Sequence, residues 1–384
     1  MAKSALNLLS PDDNIFLLTS DSLLLPAVDN AVLGLIGPLP PAGNVAYSPM
    51  KILDFPTGVR ADKAAPDSVV ITGSNSDNVA TIYEGTLQAL PNAPDSRWHV
   101  MQPAFADVTK SLFYGPNTSL FDPTLGAKDI RAVGTFQQSG DGSELNHGMM
   151  YQGPLDDSGI WTQIDATPLV PTGHTLQNTI PHSTMGNLVV GNYDLDSNAS
   201  PGHAFVYNIT EKSWMDFRPT DASGMPIPAL SITAYGIWQN GGGNNSTSYT
   251  VAGGFSDVNN NGIDEGYVVD YDSSTKTYSH FTIFNFENMK ALVSHFDGIT
   301  ATANGYNLTG EFVSPANGGI GGFFASIVRE ADGSFSTADW TPVAVPGSSV
   351  TTGNTVIDNH VLGIYAPGAT APINSYIATV LPPS

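Results

Sequence analysis

The 384-residue sequence contains no cysteine and few basic residues. Without cysteine there are no disulfides, no thiolate metal sites and no cysteine nucleophile. The 13 Lys and Arg residues stand against 35 Asp and Glu residues, which gives a net charge of -22. Such a chain lacks the clustered cations that hold nucleic-acid phosphates or anionic membranes. We therefore expect no nucleic-acid partner and no membrane insertion.

Charged residues of both signs make up only 12% of the sequence, and no apolar run approaches the length of about 18 residues that a membrane-spanning helix needs. Long helices are usually coated with Glu, Lys and Arg, so this deficit argues against a helical bundle. The first residues carry one lysine and no sustained apolar core before Pro11. Either the chain is not exported or its signal peptide has been removed. We expect the second, a secreted or periplasmic protein.

What the sequence does contain is glycine, proline and a repeat. An apolar, often β-branched run that ends in glycine returns six times, about every 57 residues, and each is followed by a polar loop and a second apolar run. A third run opens on an aromatic residue in five units. The repeated glycines are Gly73, Gly134, Gly191, Gly253, Gly310 and Gly363, and the aromatic residues are Trp98, Trp161, Trp214, Tyr278 and Trp340.

Four short strands in each unit of this length are typical of a propeller blade, whose faces become buried only when neighbouring sheets stack on it. The sequence therefore predicts an all-β fold, a single-domain six-bladed β-propeller over residues 1–384 with four antiparallel strands per blade. The glycine run is taken as the first strand of each blade. N-terminal strands within 1–66, at 14–25 and 45–55, are expected to complete the blade begun by 360–384 and so remove the sheet edges. A seven-bladed propeller and an open sandwich with fortuitous periodicity are the alternatives.

Two units share a short pattern around a histidine. His203, Ala204 and Phe205 stand in the third unit, and His147 occupies the same place in the second. These residues resemble the bacterial extracellular repeat named for its His-Ala-Phe core. The resemblance implies an exported repeat protein of β-propeller type, and it brings no catalytic residues to transfer.

The fourth unit contains a loop rich in oxygen donors. It places oxygen side chains at positions 1, 3 and 5, glycine at position 6 and a carboxylate at position 9, a spacing that wraps a hard cation such as Ca²⁺. The loop is similar to the calcium loops of the integrin α-subunit propeller, and asparagine at positions 3 and 5 predicts weaker binding. An Asn-rich hairpin turn is the alternative. The resemblance implies as ligands Asp257, Asn259, Asn261, the Ile263 carbonyl and Glu265.

The expected mouth of the propeller collects three histidines with nearby carboxylates. Such groups can form an acid/base pair for hydrolysis or elimination, or a metal centre. The simpler alternative is that each histidine is satisfied by backbone carbonyls in a turn. The expected catalytic residues are His182, His295, Asp297 and His360, with His360 at the start of the last inner strand. The expected substrate-binding residues are Asp129, Arg131, Tyr235 and Asn359.

Two functions fit these features. The first is an extracellular, calcium-binding hydrolase or lyase that acts on a neutral or cationic small molecule or glycan at the mouth. The second is a non-catalytic propeller that binds glycan or protein through exposed aromatic residues. The enzyme is preferred because a lone propeller has no partner domain to which its binding could be delivered. The dinucleotide, phosphate-loop, serine-elbow and His-Glu-x-x-His motifs are absent from the sequence, and we expect a monomer.

Overall fold

The computed structural model describes residues 44–50, 55–62, 67–141, 145–196, 202–221, 223–241, 246–260, 263–286, 291, 293–313, 319–367 and 372–381. Throughout these ranges the regular structure is β-strand, with short 3-10 turns at Leu90–Asn92, Asp95–Arg97, Thr167–Leu169 and Val258–Asn260. None of the helical segments in these ranges has the length and apolar character that crossing a membrane requires.

After the first strand, three separate sheets each consist of four antiparallel strands in chain order. The first strand is β1 (Val45–Pro49). The first sheet contains β2 (Phe55–Ala61), β3 (Ser68–Ser74), β4 (Ala80–Thr86) and β5 (Trp98–Val100). The second contains β6 (Val108–Thr118), β7 (Asp129–Gln138), β8 (His147–Pro154) and β9 (Ile160–Gln163), and the third contains β10 (Leu176–Met185), β11 (Leu188–Leu195), β12 (His203–Asn208) and β13 (Ser213–Asp216).

The remaining strands form three more units, and in the fourth and sixth units two short strands together occupy the first position, because both pair with the next strand. The fourth unit contains β14 (Ala229–Ile232), β15 (Gly236–Gln239), β16 (Ser248–Asp257), β17 (Ile263–Asp272) and β18 (Thr277–Phe284). The fifth contains β19 (Val293–Ala301), β20 (Gly305–Val313), β21 (Ile320–Val328) and β22 (Asp339–Val343), and the sixth contains β23 (Val350–Thr351), β24 (Thr355–Ile357), β25 (His360–Ala366) and β26 (Asn374–Val380). Single parallel pairings, Asp264 with Val293 and Ile320 with Val350, join these three units into one 14-stranded sheet.

The repeated aromatic residues lie on the fourth strand of their units. Each packs on an aromatic residue of the third strand, with ring centroids 4.9 Å apart for Tyr83 and Trp98 and 4.8 Å for Tyr151 and Trp161. The same pairing recurs between Tyr207 and Trp214, Tyr271 and Tyr278, and Phe323 and Trp340. Each ring pair thereby ties the outer strand of its sheet to the strand beside it.

The order of strands within a unit corrects one expectation. The glycine runs form β3, β7, β11, β16, β20 and β25, and each of these takes the second position in its unit, not the first. The strand before it, which the sequence pattern attached to the preceding unit, is the first. Because Ala229 pairs with Asp257, the loop after β16 lies beside the start of the first strand of its unit.

The N-terminal strand β1 pairs with the C-terminal strand β26, from Val45 opposite Val380 to Pro49 opposite Tyr376. The Ala344 amide donates to the Tyr47 hydroxyl at 2.9 Å, which also anchors β1 to the segment before β23. Of the expected N-terminal strands, 14–25 lies outside the described residues. Within 45–55, the chain forms β1 and then starts β2, which belongs to the first sheet.

The first strands of the six units contact one another in turn: β2 with β6, β6 with β10, β10 with β15, β15 with β19, β19 with β24, and β24 with β2. We call these six strands the inner ring. The approach is close at Gly58, where a Cβ would lie 2.1 Å from the Tyr114 carbonyl oxygen. Only glycine fits at that position of β2.

Candidate functional site

Four strands of the inner ring contain a β-bulge at the same place. In each of these strands the register with the second strand of the unit shifts by one residue. The extra residue is Thr57 in β2, Tyr114 in β6, His182 in β10 and Asp297 in β19. A bulge leaves one residue unpaired and turns its side chain away from the regular alternation of the strand. Side chains from separate units are therefore presented at one level of the inner ring.

Five side chains meet at this level, and we call them the inner cluster: His182, Tyr235, His295, Asp297 and Glu311. The His295 Nε2 atom lies 3.3 Å from Asp297 Oδ1 and 3.4 Å from Glu311 Oε1. Glu311 is the ladder partner of His295 on β20, so the sheet register fixes that contact. The side chains of His295, Asp297 and Glu311 are only 10 to 13% exposed. Ligand atoms of all three lie within 4.8 Å of one another.

Tyr235 lies between the two histidines. Its ring centroid is 4.4 Å from that of His182 and 5.5 Å from that of His295. On the other side, the Tyr114 ring meets His182 at 4.7 Å, and His182 Nε2 is hydrogen bonded to Asn192 Oδ1 at 2.5 Å. The two imidazoles are thus held by packing and by one amide, in contact with the same phenol ring.

Burial dominates the electrostatics of the inner cluster. It raises the pKa values of Asp297 and Glu311, and the neighbouring His295 opposes that rise. Burial, opposed by the hydrogen bond with Asn192 and helped by the nearby His295, lowers the pKa of His182 to about 3, so the His182 imidazole is neutral at pH 7. The inner cluster therefore combines a neutral imidazole, a second imidazole and two carboxyl groups in a site largely shielded from water.

A third carboxyl group, Asp264 on β17, approaches from the neighbouring unit. Burial raises its pKa to about 6, and the charge of His295 and a hydrogen bond from Ser256 lower it. The absence of a side chain at Gly254 makes room for His295, because a Cβ at Gly254 would lie 2.7 Å from the His295 Cβ. The contact between the fourth and fifth units thus adds a carboxyl group to the surroundings of His295.

The structure does not bring His360 into the inner cluster. His360 opens β25, the second strand of its unit, and pairs with Ile357 at the turn that follows β24. Within the described ranges its Nδ1 atom is buried with no hydrogen-bond partner, and burial lowers the pKa of the His360 imidazole. The expectation that His360 begins an inner strand is wrong because the glycine runs are second strands.

Three of the expected substrate-binding residues also lie at the far end of the inner strands. Asp129 begins β7. The buried Arg131 Nη1 contacts Asp122 Oδ2 at 2.8 Å and donates to the Gly186 carbonyl oxygen at 2.7 Å, so Arg131 joins the second unit to the third. The Asn359 amide donates to the Val380 carbonyl oxygen at 2.7 Å. Tyr235 alone of the four lies in the inner cluster.

Arg60 lies further along the inner strands than the inner cluster. Its guanidinium donates from Nη2 to the Ile237 carbonyl oxygen at 3.1 Å and to Ser183 Oγ at 3.4 Å, and it lies 5.4 Å from the Trp238 ring. The side chain thus reaches from β2 to β10 and β15. Burial lowers its pKa to about 10, and in the described part of the chain it forms no ion pair.

The expected calcium loop is described in part. Asp257 ends β16 and pairs with Ile263 at the start of β17, Glu265 pairs with Phe255, and Glu265 is buried. Asn259 lies in the 3-10 turn between the strands. Asn261 lies outside the described residues, so the calcium site stays a prediction.

Sequence reasoning missed Glu311 and Asp264. Glu311 follows Gly310 directly, and in the third unit the residue after the repeated glycine is Asn192, which bonds to His182. A polar residue immediately after the repeated glycine was the signal that could have found Glu311. No such signal marks Asp264, which reaches His295 from another unit.

Comparisons with known proteins return likenesses of fold only. No family model matches the chain, and no curated protein matches it. Similar solved structures, of the β-propeller type, cover most of the chain at low identity. They include a protein of unknown function from Dyadobacter fermentans (11% identity, TM-score 0.48, 88% of this chain and 100% of that one), a glucose dehydrogenase (11%, 0.42, 88% and 100%) and a thermostable family-43 glycoside hydrolase (11%, 0.37, 90% and 96%). The resemblances to the His-Ala-Phe repeat and to the integrin calcium loop therefore stay predictions.

Proposed function

We propose that this protein is a secreted six-bladed β-propeller enzyme, a hydrolase or lyase whose active site is the inner cluster. Its substrate is a neutral or cationic small molecule or a glycan. The observation that carries the proposal is the convergence of His295, Asp297 and Glu311 in one largely buried site.

The closed propeller is supported by two contacts. The inner strands contact one another in a cycle of six, and β1 supplies the outer strand of the sixth unit by pairing with β26. With that pairing the sixth unit also has four strand positions, and the first and last of the described strands meet in one sheet. Closure of this kind protects the sheet edges.

The chemistry of the inner cluster supports an enzyme. Hydrolysis and elimination both need a group that removes a proton and a group that returns one, and imidazole and carboxyl side chains serve in both roles. His295 has two carboxyl groups within 3.4 Å of its Nε2 atom. Tyr235 and the neutral His182 add hydrogen-bonding groups to the same site, which a polar substrate needs for orientation.

The burial of the aromatic residues disfavours a non-catalytic propeller that binds glycan. A glycan-binding propeller would present exposed rings as stacking platforms. In the described ranges every Phe, Tyr and Trp is buried or partly buried, including Tyr235 at 5% and Phe296 at 0% exposure. The aromatic residues pack inside and between the sheets.

A panel of neutral and cationic aryl glycosides and esters, together with a neutral oligosaccharide library, tests the proposal. Chromatography detects hydrolysis, and absorbance of the new double bond detects elimination. We expect turnover of at least one class and a loss of about 100-fold or more in His295→Gln. His174→Gln is the matched control, because His174 also pairs with a carboxylate, Asp196, at 3.1 Å, but outside the inner cluster. Equal activity in His295→Gln, or no turnover across the panel, would contradict the proposal.

A further inference from the structure

The inner cluster contains more acidic side chains than basic side chains that could pair with them. Asp297 and Glu311 face one imidazole, His295, and Asp264 lies close by. Even a protonated His295 balances only one carboxylate. Buried carboxylates are tolerated when they are paired or when they coordinate a cation.

From this arrangement we infer that His295, Asp297 and Glu311 bind a divalent transition-metal ion, Zn²⁺ or Mn²⁺. The inference rests on the proposed function, since it assigns a cofactor to the same site. It concerns residues separate from the predicted calcium loop. His295 and Asp297 come from β19 and Glu311 from the adjacent β20, so the metal would lie on one rigid pair of strands.

The distances match a coordination sphere. Metal-ligand bonds of about 2.0–2.2 Å in tetrahedral geometry separate two ligand atoms by about 3.3–3.6 Å. The observed separations from His295 Nε2 are 3.3 Å to Asp297 Oδ1 and 3.4 Å to Glu311 Oε1. Hydrogen bonds between nitrogen and oxygen are usually shorter, about 2.7–3.2 Å. These two separations fit a bound ion, and the third, between the Asp297 and Glu311 oxygen atoms, is within 4.8 Å.

The donor set selects the kind of metal. Ca²⁺ and Mg²⁺ prefer oxygen ligands only, whereas an imidazole nitrogen with carboxylate oxygens suits Zn²⁺ and Mn²⁺. Two carboxylates also balance the charge of a divalent ion when the imidazole is neutral. Three protein ligands leave at least one position open, as in catalytic metal sites and unlike closed structural ones. That position is available to water or substrate.

The test is direct metal binding by the purified full-length protein. The protein is stripped with chelator and dialysed, then titrated with ZnCl₂ by calorimetry, and its Zn and Mn content is measured by mass spectrometry. A parallel MnCl₂ titration is followed by electron paramagnetic resonance. We expect one ion per chain, and at least a 10-fold loss of affinity in both Glu311→Gln and Asp297→Asn. Asp194→Asn, which changes another buried carboxyl group outside the inner cluster, should bind like the wild type.

Circular dichroism of each variant checks that it is folded, and two ligand variants are used so that a misfolded one does not decide the result. No stoichiometric binding by the wild type, or equal binding by wild type, Glu311→Gln and Asp297→Asn, would overturn the metal site. The result is separable from the proposed function. Metal binding without turnover of any substrate leaves the metal site standing and removes the enzyme, and turnover by a wild-type protein that binds no metal does the reverse.

Discussion

Replacing Asp194 by asparagine should stabilise the protein at neutral pH. Asp194 lies on β11 and is 8% exposed. The Asn178 amide donates to its Oδ2 atom at 3.2 Å, and its Oδ1 atom is buried with no hydrogen-bond partner among the described residues. Burial raises the pKa of Asp194 from 3.8 to about 6. An ionised carboxylate at this position therefore carries a desolvation cost that a neutral amide avoids.

The sign of the pH dependence follows from the two pKa values. Below about pH 3.8 the carboxyl group is protonated in both states, so it has no effect on stability. As the pH rises to about 6 the unfolded chain loses its proton first, so this group progressively favours unfolding. A difference of about two pKa units corresponds to about 3 kcal/mol. The free energy of unfolding of Asp194→Asn should exceed that of the wild type by up to this amount at pH 7.5.

Thermal and denaturant unfolding at pH 4 and pH 7.5 measures the effect. The gain of Asp194→Asn over the wild type should appear at pH 7.5 and be much smaller at pH 4. Asp77→Asn, which changes an exposed carboxyl group, should show no such difference. A variant that is less stable than the wild type at pH 7.5, or equally changed at both pH values, would refute the reasoning.

Three further outcomes can be measured. Gly58→Ala should lower the free energy of unfolding by several kcal/mol, because its Cβ would lie 2.1 Å from the backbone oxygen of Tyr114. The control Gly224→Ala meets no atom within 4 Å and should lower it by only about 1–2 kcal/mol, because the φ of Gly224 is +83°. Equal losses of stability in the two variants would argue against close packing of the inner ring. The hydrogen bond to Asp165 raises the pKa of His147, so the NMR titration midpoint of His147 should lie above 6.5. The stability that this pair contributes should be lost as the pH rises through the raised pKa of the folded state. A midpoint at or below 6.5 would rule out the ion pair. Removing calcium with a saturating chelator should lower the melting temperature. If the ion is initially present at 100 times its dissociation constant, the loss of stability is about 2.7 kcal/mol. An unchanged melting curve would count against the predicted calcium loop.

The repeated unit could be predicted from the sequence, but the first strand of each unit could not. The glycine runs are regular, β-branched strands buried on both faces, and they give a clear periodic signal. The inner strands β2, β6 and β10 contain Pro56, Pro116 and Pro181 and are interrupted by bulges. Proline within a run argues against a central strand, yet it is tolerated on an edge strand, and β2, β6 and β10 are each the edge of their sheet. The position of these strands in the folded sheets therefore allows proline where the sequence pattern alone argues against a strand.

The candidate site was predicted in part for a related reason. His182, His295 and Asp297 were chosen from residue type and topology, and their convergence depends on bulges that a periodic pattern does not reveal. His360 was placed among them because its strand was taken as an inner one. Glu311 was missed because its role comes from the register between β19 and β20, which sets it opposite His295. Register is a property of the folded sheet, and no single strand of the sequence contains it.

The position of Arg60 has a consequence for any molecule that reaches the inner cluster. Its side chain runs from β2 to β10 and to β15, on the far side of the cluster along the inner strands. The guanidinium crosses from one inner strand to two others, so it ties three units together beside the inner cluster. Under the proposed function, a substrate that reached the inner cluster would meet a positive charge on that side.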